Sequence, residues 1–152
     1  MSETKRFFNE LKSIYYANAW HGPALKEVLT GITAAQAKAK PITEGHSIWE
    51  LVLHISGWNS VFLLALEGKS VNEPEGGDFP IINDTSENAW QKVLAQLDQD
   101  YEKFLSAISS LRDERLNDKV VGKDYNFRLM LRGIINHDIY HTGQIALLKK
   151  AK

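Results

Sequence analysis

His137 and His141 stand four residues apart in "NHDIYHTGQIALLKK", with Asp138 between them. On a helix, residues at i and i+4 share a face, with Cβ atoms roughly 5–6 Å apart. Two imidazoles so placed can reach one metal ion at about 2.0–2.1 Å. A third, His54, lies inside "HSIWELVLHISGW". Helical periodicity puts it on one stripe with Leu51, Trp58, Val61, Phe62 and Ala65, facing the core. Two helices packed through these faces would gather three neutral imidazoles and leave coordination positions open for water or substrate. Such a donor set disfavours calcium and magnesium and suits zinc, nickel or iron(II). The competing reading is three hydrogen-bonded core histidines; any left without a partner would cost about a few kcal/mol of desolvation.

The stretch also has the outline of the protease helix H-E-x-x-H, in which the Glu takes a proton from zinc-bound water. Asp138 is one methylene shorter, and the eleven residues after His141 hold no strong ligand. A protease is therefore not expected. Asp138 fits better as an acceptor that orients a ligand, or as an exposed carboxylate, and less well as a catalytic base acting through a water.

Other residues could serve a pocket beside such a centre. Trp58 is one turn from His54 and is the best aromatic candidate, ahead of Trp20 and Trp49. Gln144 is placed to bond His141. His21 and His46 precede helix starts, where an acid–base role competes with a plain surface role. Glu50 could orient His54, but it also completes a capping box with Ser47. Arg128 and Arg132 could meet an anionic substrate or simply be solvated.

The elements that must hold these groups are helical. "SETKRFFNELKSIYYANAW" has apolar residues at three- and four-residue spacing, and Gly22-Pro23 interrupts it. A short helix through "PALKEVLTG" follows, and "TAAQAKAK" adds a turn before Pro41. A long helix runs from Ile48 to about Glu67 and ends at Gly68. Residues 69–85 are rich in Gly, Pro and acids and read as a loop. The helix after Asp84 or Ser86 carries a near-heptad stripe from Trp90 to Leu111, and a polar connector follows with a short extended piece at Val120-Val121. The last helix, about Phe127 to Lys149, is apolar on several sides, as suits a central helix or a subunit contact. Four long helices and no strand pattern predict an all-α, four-helix bundle.

Composition agrees with one domain over residues 1–152. Apolar residues make up 43% and charged residues 24%, the net charge is −1, and there is no cysteine. Thiolate ligands, thiol nucleophiles and disulfides are excluded. Scattered charge gives no reason to expect nucleic acid or a membrane as partner, and no signal peptide or membrane span is read. A cytoplasmic protein is the expectation.

His54 within "HSIWELVLHISGW", the H-x-x-x-H pair of "HDIYHTGQIALLKKA" and the segment "AWHGPALKEVLTGIT" together resemble the DinB-like superfamily over essentially the whole chain. The resemblance implies a four-helix bundle with long crossover connections, often dimeric. It implies a divalent metal, commonly nickel or zinc, held by residues that match His54, His137 and His141. It also points to bacillithiol- or mycothiol-dependent S-transferases, in which the metal activates a low-molecular-weight thiol. The functional expectation is thus a metal-dependent enzyme acting on a small molecule, a thiol transferase first and a metal-dependent hydrolase second. A non-catalytic metal-binding or structural homodimer is the alternative from another class.

Overall fold

The computed structural model describes residues 1–151. It contains six α-helices: α1 (Glu3–Tyr15), α2 (Leu25–Leu29), α3 (Ala34–Lys38), α4 (Ile48–Leu66), α5 (Glu87–Ser109) and α6 (Phe127–Lys150). A 3₁₀ turn at Asp113–Asn117 precedes α6. No strand forms among the described residues; only an isolated bridge joins Lys119 and Asn126, one residue before the expected extended piece.

The helix starts are written in local chemistry. Ser47 Oγ accepts from Glu50 N at 3.2 Å while Glu50 accepts from Ser47 N at 2.7 Å, satisfying two backbone donors at the head of α4. Ser86 and Asn126 cap α5 and α6 in the simpler way. α1 has a remote helper as well: Asp113 accepts from Glu3 N at 2.8 Å and Thr4 N at 2.9 Å. The Thr4 hydroxyl, together with those backbone bonds, holds the Asp113 carboxyl below the ordinary range. α1 ends at Tyr15, earlier than its apolar pattern suggests. Ser13 Oγ bonds the Asn18 carbonyl, and Asn18 turns the chain with φ +66°.

Four long helices make the bundle. α4 packs against α5 and α6, and α1 packs against the same two, so α1 lies opposite α4 and α5 opposite α6. The links from α1 to α4 and from α5 to α6 therefore cross the bundle. α2 rests on α6, and α3 rests on α4 and α5, within the first crossover. Trp90 Nε1 donates to the Ile32 carbonyl at 2.7 Å, pinning that crossover to α5, and Lys149 Nζ bonds the Val28 and Thr30 carbonyls behind α2.

The core is rich in aromatic pairs. Tyr15 stacks on Tyr101 with ring centroids 3.8 Å apart, and Phe62 meets Phe104 and Phe127 edge to face. α4 is the one helix among the described residues long and apolar enough to cross a bilayer. Its Leu51, Val52, Ile55, Val61 and Phe62 are buried in this core instead. Trp49 belongs to the core too, tilted against Trp90 at 5.1 Å, and Trp20 is fully exposed. Neither walls a pocket with the histidines. Arg128 clamps Glu3 through two bonds of 2.8 and 3.0 Å, while Arg132 lies over the Phe7 ring. Both basic side chains thus fasten α1 to α6.

Candidate metal centre

α4 and α6 meet where His54 faces His137 and His141. One nitrogen from each ring lies within 4.8 Å of the other two, and the Nε2 atoms of His54 and His137 are 2.8 Å apart. Nitrogens bound to one ion at about 2.0–2.1 Å stand roughly 3–3.4 Å apart. The three rings thus converge on a point that one metal could occupy. His54 and His141 are buried, and His137 is partly open. Burial lowers the pKa of His54, and it lowers that of His141 to about 4 with repulsion from the neighbouring rings adding to the effect. Both therefore present neutral imidazoles, the form that ligates.

Each ring is oriented from behind. His54 Nδ1 lies 2.9 Å from the Asp78 carbonyl and 3.1 Å from Asp78 Oδ1. A carbonyl only accepts, so Nδ1 carries the proton and Nε2 offers its lone pair to the cluster. His141 Nδ1 donates to Gln144 Oε1 at 2.6 Å, which frees its Nε2 in the same way. His137 differs. Its Nε2 must donate to the bare His54 Nε2, which strips the proton from its own Nδ1. That Nδ1 and Asp138 Oδ1 are then both buried without a hydrogen-bond partner, 3.5 Å apart.

Asp138 is 1% exposed and lies beneath His137. Its Oδ2 accepts from the Tyr101 hydroxyl at 3.1 Å and from Asn59 Nδ2 at 3.4 Å. Burial raises its pKa, with the bonds from Tyr101 and Asn59 opposing it. The carboxylate is enclosed behind the ring and does not line the open side.

The loop between α4 and α5 closes over the other side of His54. Asp78 Oδ1 accepts from Trp58 Nε1 at 2.8 Å, and Phe79 stacks on His54 with centroids 4.4 Å apart. Gly57 makes this approach possible, since a Cβ there would stand 2.9 Å from the Pro74 ring. His46 is exposed and stacks on the far side of Phe79 at 3.6 Å, outside the cluster. His21 is exposed on the turn before α2, and Glu50 is occupied by its cap and by Lys40. Asp78, Phe79, Asn59 and Tyr101 were not singled out from sequence. The loop offers no periodicity, and the other two look like ordinary helix residues until the helices are packed.

An open pocket of about 450 Å³ adjoins the cluster, lined by Trp58, Tyr125, Leu129, Met130, Gly133, Ile134 and His137. Its walls are almost wholly apolar, and no carboxylate lines it. Gln144 and His46 border a different depression, with Leu51 and Leu147.

The family model of the DinB superfamily matches residues 18–145. That span contains all three histidines, the loop over His54 and the whole pocket. The crystal structure of a conserved protein from Enterococcus faecalis is similar with a TM-score of 0.72 and 17% identity, covering 99% of this chain and 97% of that one. That likeness speaks to the fold. No curated protein matches the chain.

Proposed function

The chain belongs to the DinB superfamily, and on that footing we propose that it is a metal-dependent cytoplasmic enzyme joining a small thiol to an apolar electrophile. The observation that carries the metal is the orphaned pair behind His137. With a cation at the convergence point, His137 Nε2 carries no proton. The ring's proton then sits on Nδ1, facing Asp138 Oδ1 at 3.5 Å, and an approach of about 0.5 Å would close the hydrogen bond that satisfies both orphaned atoms. His54, His137 and His141 would be the ligands. Nickel and zinc suit three imidazoles best, with iron(II) also compatible.

A bound divalent ion would supply Lewis acidity, lowering the pKa of a thiol or water at an open position. The chain's own residues account for the rest. Asp78 and Gln144 hold two of the rings in one tautomer each, and Asp138 would hold the third once His137 Nδ1 carries the proton. Trp58, Met130 and Ile134 offer an apolar surface to an apolar small molecule. The pocket has no carboxylate to take a proton from water. A free thiol ionises near pH 8.5 and needs less help than water, whose pKa is about 15.7. This favours thiol transfer over hydrolysis.

The test has two stages. Metal content of the purified protein, measured beside a His54→Ala/His137→Ala double variant, should be near one per chain and lost in the variant. Absence of metal from both after reconstitution with nickel and zinc would overturn the proposal. The loaded protein should then conjugate a small thiol to chlorodinitrobenzene. Turnover of a nitrophenyl ester without thiol would move the assignment to a hydrolase, and inactivity with both would leave a metal-binding protein only.

A further inference from the structure

Leu129, Gly133 and His137 follow one another at four-residue steps along α6, so they stand in one column on the side that lines the open pocket. The middle place has no side chain. Its neighbours on the wall are all large: Trp58 from α4, Tyr125 from the connector, and Met130 and Ile134 beside the column. The result is a notch between Leu129 and His137, whose Cα atoms stand about 12 Å apart along the helix. It adjoins the most open of the three imidazoles, since the His137 side chain is 25% exposed against 7% for His54.

Nothing in the fold asks for glycine at this place. Gly133 lies inside α6 and its φ is not positive. A Cβ there would meet no side chain within 4 Å, in contrast to Gly57. A glycine within a helix is destabilising relative to alanine. The helix is thus weakened without gaining a turn or a close contact. What the missing side chain leaves is room beside His137.

We propose that Gly133 is the specificity-determining residue of this pocket, and that its notch seats a flat, uncharged aromatic ring of the electrophile. This rests on reading the pocket as the substrate's, but not on the metal. The chemistry of the wall selects the occupant. No Lys, Arg, Asp or Glu lines the pocket, so a charged ring would lose hydration without gaining a partner. Trp58 and Tyr125 offer aromatic surface and Met130 a polarizable thioether, groups that pack favourably on other rings. A slot one side chain wide admits a planar ring more readily than a branched aliphatic group. Its walls are set before a ligand arrives. The Trp58 indole N–H is bonded to Asp78, and the Tyr125 carbonyl accepts from Val120 N at 3.0 Å.

The test uses the metal-free full chain and N-phenyl-1-naphthylamine, an uncharged aromatic probe whose fluorescence rises on binding. The wild type should bind it and Gly133→Ala should bind it more weakly. Gly133→Leu, which fills the notch, should bind it roughly tenfold more weakly or not at all. Gly143→Leu is the control. Its Cβ is equally free of neighbours and lies outside this pocket wall, so it should bind the probe as the wild type does. All three variants should keep the helical circular dichroism, and Gly133→Ala should melt no lower than the wild type. Toluene should displace the probe more readily than methylcyclohexane, although the saturated ring is the more hydrophobic. A wild type that does not bind the probe, a Gly133→Leu that binds it undiminished, or an equal loss in Gly143→Leu would overturn the proposal. So would preferential displacement by methylcyclohexane. Failure of the wild type to take up metal would sink the metal reading and leave these results standing, because no metal is present in the assay.

Discussion

Replacing Asp138 by Asn should weaken metal binding while leaving the metal-free fold as stable as before, or more so. Two donors, the Tyr101 hydroxyl and Asn59 Nδ2, converge on Oδ2. An asparagine must therefore keep its oxygen there and turn its NH₂ toward His137 Nδ1. In the metal-free protein this gives the orphaned Nδ1 a donor and removes a buried carboxyl that carries a desolvation penalty. With metal bound, His137 needs its proton on Nδ1, and donor then faces donor. Losing that bond and leaving two donors unsatisfied costs about 1–3 kcal/mol, equivalent to roughly a tenfold to hundredfold weaker affinity. Competition titration with a chromophoric zinc chelator measures the affinity, and urea unfolding in EDTA measures the fold. Unchanged zinc affinity, with the variant still folded, would show that Asp138 does not set the His137 tautomer. A large loss of metal-free stability would show that the carboxylate, not a shared proton, holds this part of the core.

Two further outcomes follow from the same packing. In EDTA, stability should fall as the solution is acidified. His141 titrates near 4 when folded and near 6.5 when unfolded, and His54 is lowered in the same sense. The unfolded chain then binds more protons between these values, so stability is complete above about pH 6.5 and is lost down to about pH 4. The raised carboxyl of Asp138 acts oppositely, so urea midpoints are best compared in the Asp138→Asn background; a flat profile from pH 7 to 4 would refute this. Gly57→Ala should push Pro74 away from α4 and loosen Asp78 and Phe79 from His54, costing about 1–3 kcal/mol by overpacking and lowering zinc affinity. An unaltered thermal midpoint would mean that the loop does not rest on that glycine.

Much of the architecture is legible in the sequence because helices are local objects. The Ser47–Glu50 box, the serine at 86 and the 3.6-residue stripes place the long helices within a few residues. The exceptions lie at ends set by distant partners, such as α1, which stops where Ser13 and Asn18 bond. The three histidines were visible for the same reason: each sits on a stripe whose direction follows from periodicity, which left a shared metal and three hydrogen-bonded core rings both open. What the spacing could not say is what stands behind His54 and what holds Asp138. Asp78 and Phe79 come from a loop 24 residues beyond His54 in sequence, held there by a glycine that lets Pro74 approach. Tyr101 reaches Asp138 only because α5 and α6 lie across the core from one another, with α4 supplying Asn59 between them. Sequence alone determined which atoms could ligate and on which helices they stand, since local backbone geometry dictates both. The tertiary structure decided which nitrogen of His54 carries its proton and what holds Asp138 in place behind His137, because those partners are brought from elsewhere in the chain.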